Sequence, residues 1–147
     1  MRRTSLLIAT TALLATSAGA VANASSSGER IQLRKTRIGT ILVNGGGRTV
    51  YMFTRDSRNK DTCQAISGCT RFWPPVTSGG KPVAGSGVKS SLLSTITIKG
   101  GAKQVTYAGH PLYTYSGDSG PAQTSYVNAS AFGGRWPAVN SSGGQVK

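Results

Sequence analysis

Acidic side chains are scarce in this chain of 147 residues, four against 17 lysines and arginines, so the place of each one matters. Asp56 and Asp118 end two similar segments, Tyr51-Met52-Phe53-Thr54-Arg55-Asp56 and Tyr113-Thr114-Tyr115-Ser116-Gly117-Asp118. Two carboxyl groups held about 5–9 Å apart can hydrolyse a glycosidic bond, one as acid and the other as base or nucleophile. The simpler use of an Asp just past a strand is to cap the next turn through backbone N–H groups, or to accept a bond from a nearby hydroxyl. The other acids are Glu29 and Asp61. No Ser–His–Asp spacing is recognisable, and His110 beside Pro111 reads as a turn residue. The expectation is a non-catalytic chain, with a carboxylate hydrolase using Asp56 and Asp118 as the alternative.

Soft ligands are equally few. Cys63 and Cys69 stand six positions apart, and with His110 and Met52 they are the only candidates for a role in extracytoplasmic electron or metal handling. Zinc wants four ligands, and neither C-x-x-C nor C-x-x-C-H occurs. An even number of cysteines in an exported chain reads as a disulfide, Cys63–Cys69. No metal site and no cofactor is expected.

The elements that position these residues come in two copies. Trp73-Pro74-Pro75-Val76-Thr77-Ser78-Gly79-Gly80 returns as Trp136-Pro137-Ala138-Val139-Asn140-Ser141-Ser142-Gly143-Gly144. Tyr51 precedes Trp73 by 22 positions, and Tyr113 precedes Trp136 by 23. Two elements in one order at one spacing mark a tandem duplication, with repeats at about 41–80 and 105–144. Side chains alternate along a strand, so Tyr51 shares a face with Phe53 and Tyr113 with Tyr115. That aromatic face is the core candidate, and a buried tyrosine hydroxyl needs a partner. Trp73 and Trp136, each followed by proline, read as anchors packing a returning segment over the sheet.

Twenty glycines and no sustained 3.6-residue period outside the N-terminal region predict an all-β chain. Ile38–Val43 turns at Asn44-Gly45-Gly46-Gly47 and returns as Arg48–Phe53. Ser94–Lys99 turns at Gly100-Gly101 and returns as Ala102–Tyr107, and a third turn at Ala108-Gly109 leads through Leu112 to Tyr115. Ser57–Phe72 and Ser119–Arg135 read as loops, and Gly79–Ser91 as an exposed connection. The architecture expected is one small domain, a sandwich or open barrel, in which two repeats share a core about a pseudo-two-fold axis.

Residues 1–24 have the layout of a secretory signal peptide: Arg2 and Arg3, an apolar run from Leu6 to Leu14, and small residues at Ala22-Asn23-Ala24. Residues 25–37 read as a basic N-terminal segment and 38–147 as the β domain. A formal charge of +13 attracts polyanions. Export and the lack of a recognition motif argue against nucleic acid. The simplest reading of the charge is a solvated face. The role expected is structural or binding in the envelope, the partner of the binding version being an anionic cell-wall polymer or glycan, and no stable membrane anchor is expected.

The paired motifs resemble the Y-x-(F/W/Y)-x-x-D pattern of a family of secreted bacterial repeat proteins, many of them lipoproteins, described as of unknown function. Tyr107-Ala108-Gly109-His110-Pro111-Leu112-Tyr113 and Phe132-Gly133-Gly134-Arg135-Trp136 also match. The resemblance covers about Ile38 to Gly144 and implies a tandem repeat in the envelope or secreted, with no accepted catalytic residues. The chain departs from it in having no cysteine to carry a lipid and in Pro137, where the family more often has an aromatic.

Overall fold

The computed structural model describes residues 27–147, so the signal-peptide expectation lies outside the described residues. The chain is all-β, built as small sheets that do not close into a barrel. Strand β1 (Arg30–Thr36) pairs antiparallel with β2 (Gly39–Val43), Gln32 opposite Val43, while its start runs parallel to β3 (Val83–Ala84). β4 (Leu93–Thr97) and β5 (Lys103–Tyr107) form the hairpin expected at Gly100-Gly101, and β6 (His110–Pro111) adds to β5 after the Ala108-Gly109 turn. Positive φ angles of 86° and 85° at Gly100 and Gly101 show why that turn takes two glycines. β7 (Ala129–Ala131) pairs with β8 (Gly134–Trp136), and β9 (Ala138–Val139) with β10 (Gln145–Val146).

Four local expectations are corrected. The segment set apart as basic and N-terminal contains β1, whose Ile31 is fully buried; its arginines and lysine are exposed while the backbone serves the sheet. The hairpin at Asn44–Gly47 is short: Asn44 N–H bonds Arg48 C=O and Gly47 N–H bonds Asn44 C=O, both at 2.9 Å, and past the Val43–Thr49 bridge its last bond runs from Val50 N–H to Leu42 C=O at 3.2 Å. Beyond it the returning chain leaves β2, whose long partner is β1. The stretch 57–72 carries a 3-10 turn at Cys63–Ala65 and the short helix α1 (Cys69–Phe72), and 119–135 carries β7 and most of β8. The connection 79–91 contributes β3 and a buried Val88.

The chain that leaves β2 crosses to the other repeat. Tyr51 and Tyr113 exchange backbone bonds, N–H to C=O, at 2.8 and 2.9 Å. On one side Met52 N–H bonds Pro137 C=O and Thr54 N–H bonds Arg135 C=O; on the other Thr114 N–H bonds Pro74 C=O and Ser116 N–H bonds Phe72 C=O. Each motif strand therefore pairs with the tryptophan segment of the other copy. The equivalences are those of a pseudo-two-fold axis between Tyr51 and Tyr113. The repeats interlock, so each motif strand finds its backbone partners in the other copy.

Packing follows in two main layers. An aliphatic cluster gathers Ile31, Leu42, Val50, Met52, Val76, Val105, Leu112 and Val139 around Tyr107. An aromatic cluster gathers Tyr51, Phe53, Trp73, Tyr113 and Trp136 with the disulfide. Met52 thus faces core as well, because both faces of the central strand are covered. Cys63 and Cys69 are bonded, Cα atoms 5.4 Å apart, and fix the turn that delivers Trp73. Replacing both cysteines by serine is expected to lower unfolding free energy by about 2 kcal/mol; urea denaturation with and without reductant checks it, and an unchanged midpoint would deny the bridge a stabilising role.

Candidate functional site

The residues singled out from the sequence come together at the pseudo-axis. Phe53, Trp136, Trp73 and Tyr115 form a continuous stack: centroids 4.1 Å apart for Phe53–Trp136, 4.1 Å for Trp136–Trp73 and 4.4 Å for Trp73–Tyr115. The two indole planes are nearly parallel, 4° apart. Tyr51 meets Trp73 edge-on at 5.1 Å and Tyr113 meets Trp136 likewise at 5.1 Å. Each tyrosine of the motif thus touches the tryptophan of its own copy, and the aromatic two residues on stacks with the tryptophan of the other. Such pairs add about 0.5–1.5 kcal/mol each beyond area burial. Gly134 makes the Phe53 contact possible, since a Cβ there would stand 2.6 Å from the ring.

The hydroxyls complete the crossing. Tyr51 donates to Asp118 Oδ2 at 2.8 Å, and Tyr113 donates to Asp56 Oδ2 at 2.7 Å. Asp56 also accepts Thr62 N–H through Oδ1 at 2.7 Å, so it caps a turn as well as binding a hydroxyl. Asp118 accepts no backbone N–H; its Oδ1 is buried without a partner. The turn-cap expectation for Asp118 is thereby replaced by a hydroxyl bond across the repeats. A nearby guanidinium, Arg48, spends its Nη2 on Tyr115 C=O at 2.6 Å and Asp118 C=O at 3.0 Å. The remaining acids serve local backbone too: Asp61 Oδ1 accepts Gln64 N–H and Glu29 Oε1 accepts Gly45 N–H.

Burial dominates the electrostatics. It pushes the Asp56 carboxyl up to about 6, outweighing the Tyr113 and Thr62 bonds that pull it down, with Asp61 adding to the rise. Burial also raises Asp118 against the lowering influence of Tyr51 and Arg48. Both tyrosines are raised, burial first and the adjoining aspartate next. His110 is held low by burial and by Arg58. Among the described residues no three His, Cys, Asp or Glu side chains gather as a metal site.

A second feature was not singled out from the sequence. Phe72, Trp73, Tyr115, Tyr126, Ala129, Ala131 and Phe132 line a cleft of about 300 Å³, with Phe72 45 % and Tyr126 40 % exposed. Phe132 and Gly133 make the two-residue turn of the β7–β8 hairpin, and Phe132 takes φ 55°, a conformation suited to Asn or Gly. Its ring lies 6.0 Å from that of Phe72. The legible signal was a set of large aromatics inside segments otherwise read as polar loops.

A family model described as a secreted repeat of unknown function matches residues 33–77 and 94–140. The chain belongs to that family. The two matched segments are the two copies whose motif strands exchange partners here. No curated protein and no solved structure matches the chain. Among the described residues no helix is long and apolar enough to cross a membrane.

Two outcomes are expected for the crossed pairs. Asp118→Ala strands the Tyr51 hydroxyl in the core and should cost about 1–3 kcal/mol, while Asp118→Asn keeps an acceptor and should be milder; thermal and urea melts compare them. The pH dependence follows from the raised carboxyls. The folded chain holds these protons more tightly than the unfolded chain, so this stabilisation is complete below the ordinary value of 3.8 and is lost as pH rises to about 6. Stability should fall across that window, and Asp56→Asn should flatten the fall. A rise in stability over the same window in wild type, with no change in Asp56→Asn, would contradict the assignment.

Proposed function

We propose that this secreted repeat protein is a non-catalytic binding module of the cell envelope, taking an anionic wall polymer or glycan on its aromatic cleft. The observation that carries the reading is the exposed pair Phe72 and Tyr126 flanking Phe132, whose backbone is held in an unfavourable conformation. Strain of this kind persists where the surroundings require it, and it marks sites more often than scaffolds. Sugar rings present apolar faces that stack on such side chains, as apolar clefts with a few polar groups commonly bind.

Charge supports the anionic half of the reading. Arg55 Nη1 bonds Phe132 C=O at 2.9 Å and Arg135 Nη1 bonds Asn128 C=O at 3.2 Å, so two guanidinia are fixed around the hairpin with donors to spare. Arg135 also lines a neighbouring hollow with Ser130 and Gly133, and exposed Arg71 precedes Phe72. The hydrolase alternative draws less support. All four acids of the described chain are engaged in hydrogen bonds within the fold, and Asp118 is 3 % exposed.

Calorimetric titration of the mature protein with polygalacturonate, a teichoic acid polymer and neutral dextran tests the reading. Binding to an anionic polymer but not to dextran is expected, weakening as salt rises. Phe72→Ala and Tyr126→Ala should each weaken it by about tenfold. Phe132→Asn should weaken it without loss of stability, since Asn accepts the turn conformation that Phe resists. Equal binding by wild type and all three variants would remove the cleft from the site.

A further inference from the structure

We infer that the crossed Tyr–Asp pairs and the ring stack form a proton-coupled relay, through which a one-electron oxidant at the surface draws an electron from Tyr51 or Tyr113. Removing an electron from a buried tyrosine leaves a radical cation whose charge the interior cannot solvate. The step becomes feasible when the phenolic proton moves at once to an acceptor already in contact.

Tyr51 and Tyr113 have that acceptor, a carboxylate oxygen at 2.8 and 2.7 Å. Tyr107 is a built-in contrast. It is as buried, yet its hydroxyl meets only backbone, donating to Ser141 C=O and accepting Lys89 N–H. A neutral acceptor would have satisfied Tyr51 at lower desolvation cost than a carboxylate. Asp118 instead leaves Oδ1 buried and without a bond, which keeps its carboxylate basic.

The route for the electron is the aromatic contact series. From Tyr51 it runs to Trp73 at 5.1 Å, to Tyr115 at 4.4 Å and to Tyr126 at 4.5 Å, where the ring reaches solvent. From Tyr113 it runs to Trp136 at 5.1 Å and joins Trp73 at 4.1 Å. Each break in the route is a ring-to-ring contact. The step balances as follows: the oxidant gains one electron, the Tyr51 O–H bond breaks, and an O–H bond forms on Asp118. The product is a neutral tyrosyl radical beside a carboxylic acid. A one-electron reductant reverses the step, and the proton returns to the phenol.

Laser photolysis of the mature protein with ruthenium tris-bipyridine and persulfate, followed by transient absorption and freeze-quench electron paramagnetic resonance, tests the relay. A neutral tyrosyl signal is expected that persists in Tyr107→Phe, halves in Tyr51→Phe or Tyr113→Phe, and is lost from the core in the double variant. Tyr126→Phe should delay its appearance. Asp118→Asn should slow radical formation at Tyr51 by about 10²-fold, the scale of losing a positioned proton acceptor, and leave Tyr113 unaffected. Should Asp118→Asn fail to fold, the phenylalanine variants, which keep every ring, decide the matter. A radical confined to Tyr126, or one unchanged in the double phenylalanine variant, would overturn the relay.

Discussion

The backbone exchange between Tyr51 and Tyr113 is the constraint on which the rest depends. Once those residues bond each other, the following residues of each motif strand can be satisfied only by the tryptophan segment of the other copy. That crossing brings Trp73 and Trp136 face to face and sets Phe53 and Tyr115 on the outer faces of the stack. It also carries each hydroxyl to the aspartate of the opposite copy. Backbone pairing, ring stacking and hydroxyl bonding therefore form together. A single repeat would hold none of the three, and cooperativity is built into the duplication.

The buried aspartates sit against that gain. Apart from Arg48, every basic residue from Arg30 onward is exposed, so the positive charge of the chain is spent on its surface while two of its four acids are drawn into the interlock. Placing a carboxylate against a tyrosine inside a small core costs desolvation, and the raised Asp56 and Asp118 show that the hydrogen bonds recover only part of it. An amide or hydroxyl acceptor would have stabilised the same geometry more cheaply. The carboxylates are thus poorly explained by stability alone.

Much of the frame was legible because it rested on residue type and spacing. The repeat, the shared core, the cysteine pair and the β4–β5 turn all follow from patterns that survive without knowledge of partners. The crossing was not legible. Asn44-Gly45-Gly46-Gly47 is a strong local hairpin signal, and nothing in the residues after it says that pairing stops at Val50 and passes to a segment about 60 positions on. β1 was hidden by its own charge: Ile31 and Leu33 alternate as a strand should, but Arg30, Arg34 and Lys35 dominate the composition. Asp118 was read by type as an acceptor, and its true donor lies in the other copy, out of reach of any local rule.

The two copies agree where they interlock and differ where they reach the surface. Copy one closes the approach to its tryptophan with a disulfide, a 3-10 turn and α1; copy two uses the β7–β8 hairpin. Both solutions deliver an indole to the same stack, so the core is indifferent to which is used. The cleft is not. Phe72 comes from the helical solution, and Tyr126 and Phe132 from the hairpin and the chain before it, so the cavity exists only because the copies are unlike. A symmetric pair of disulfide turns would fill the core equally well and lack the Phe132 wall. The one backbone conformation that a bulky residue resists lies on the asymmetric side. The interlock therefore accounts for the fold, and the difference between the copies accounts for the cleft.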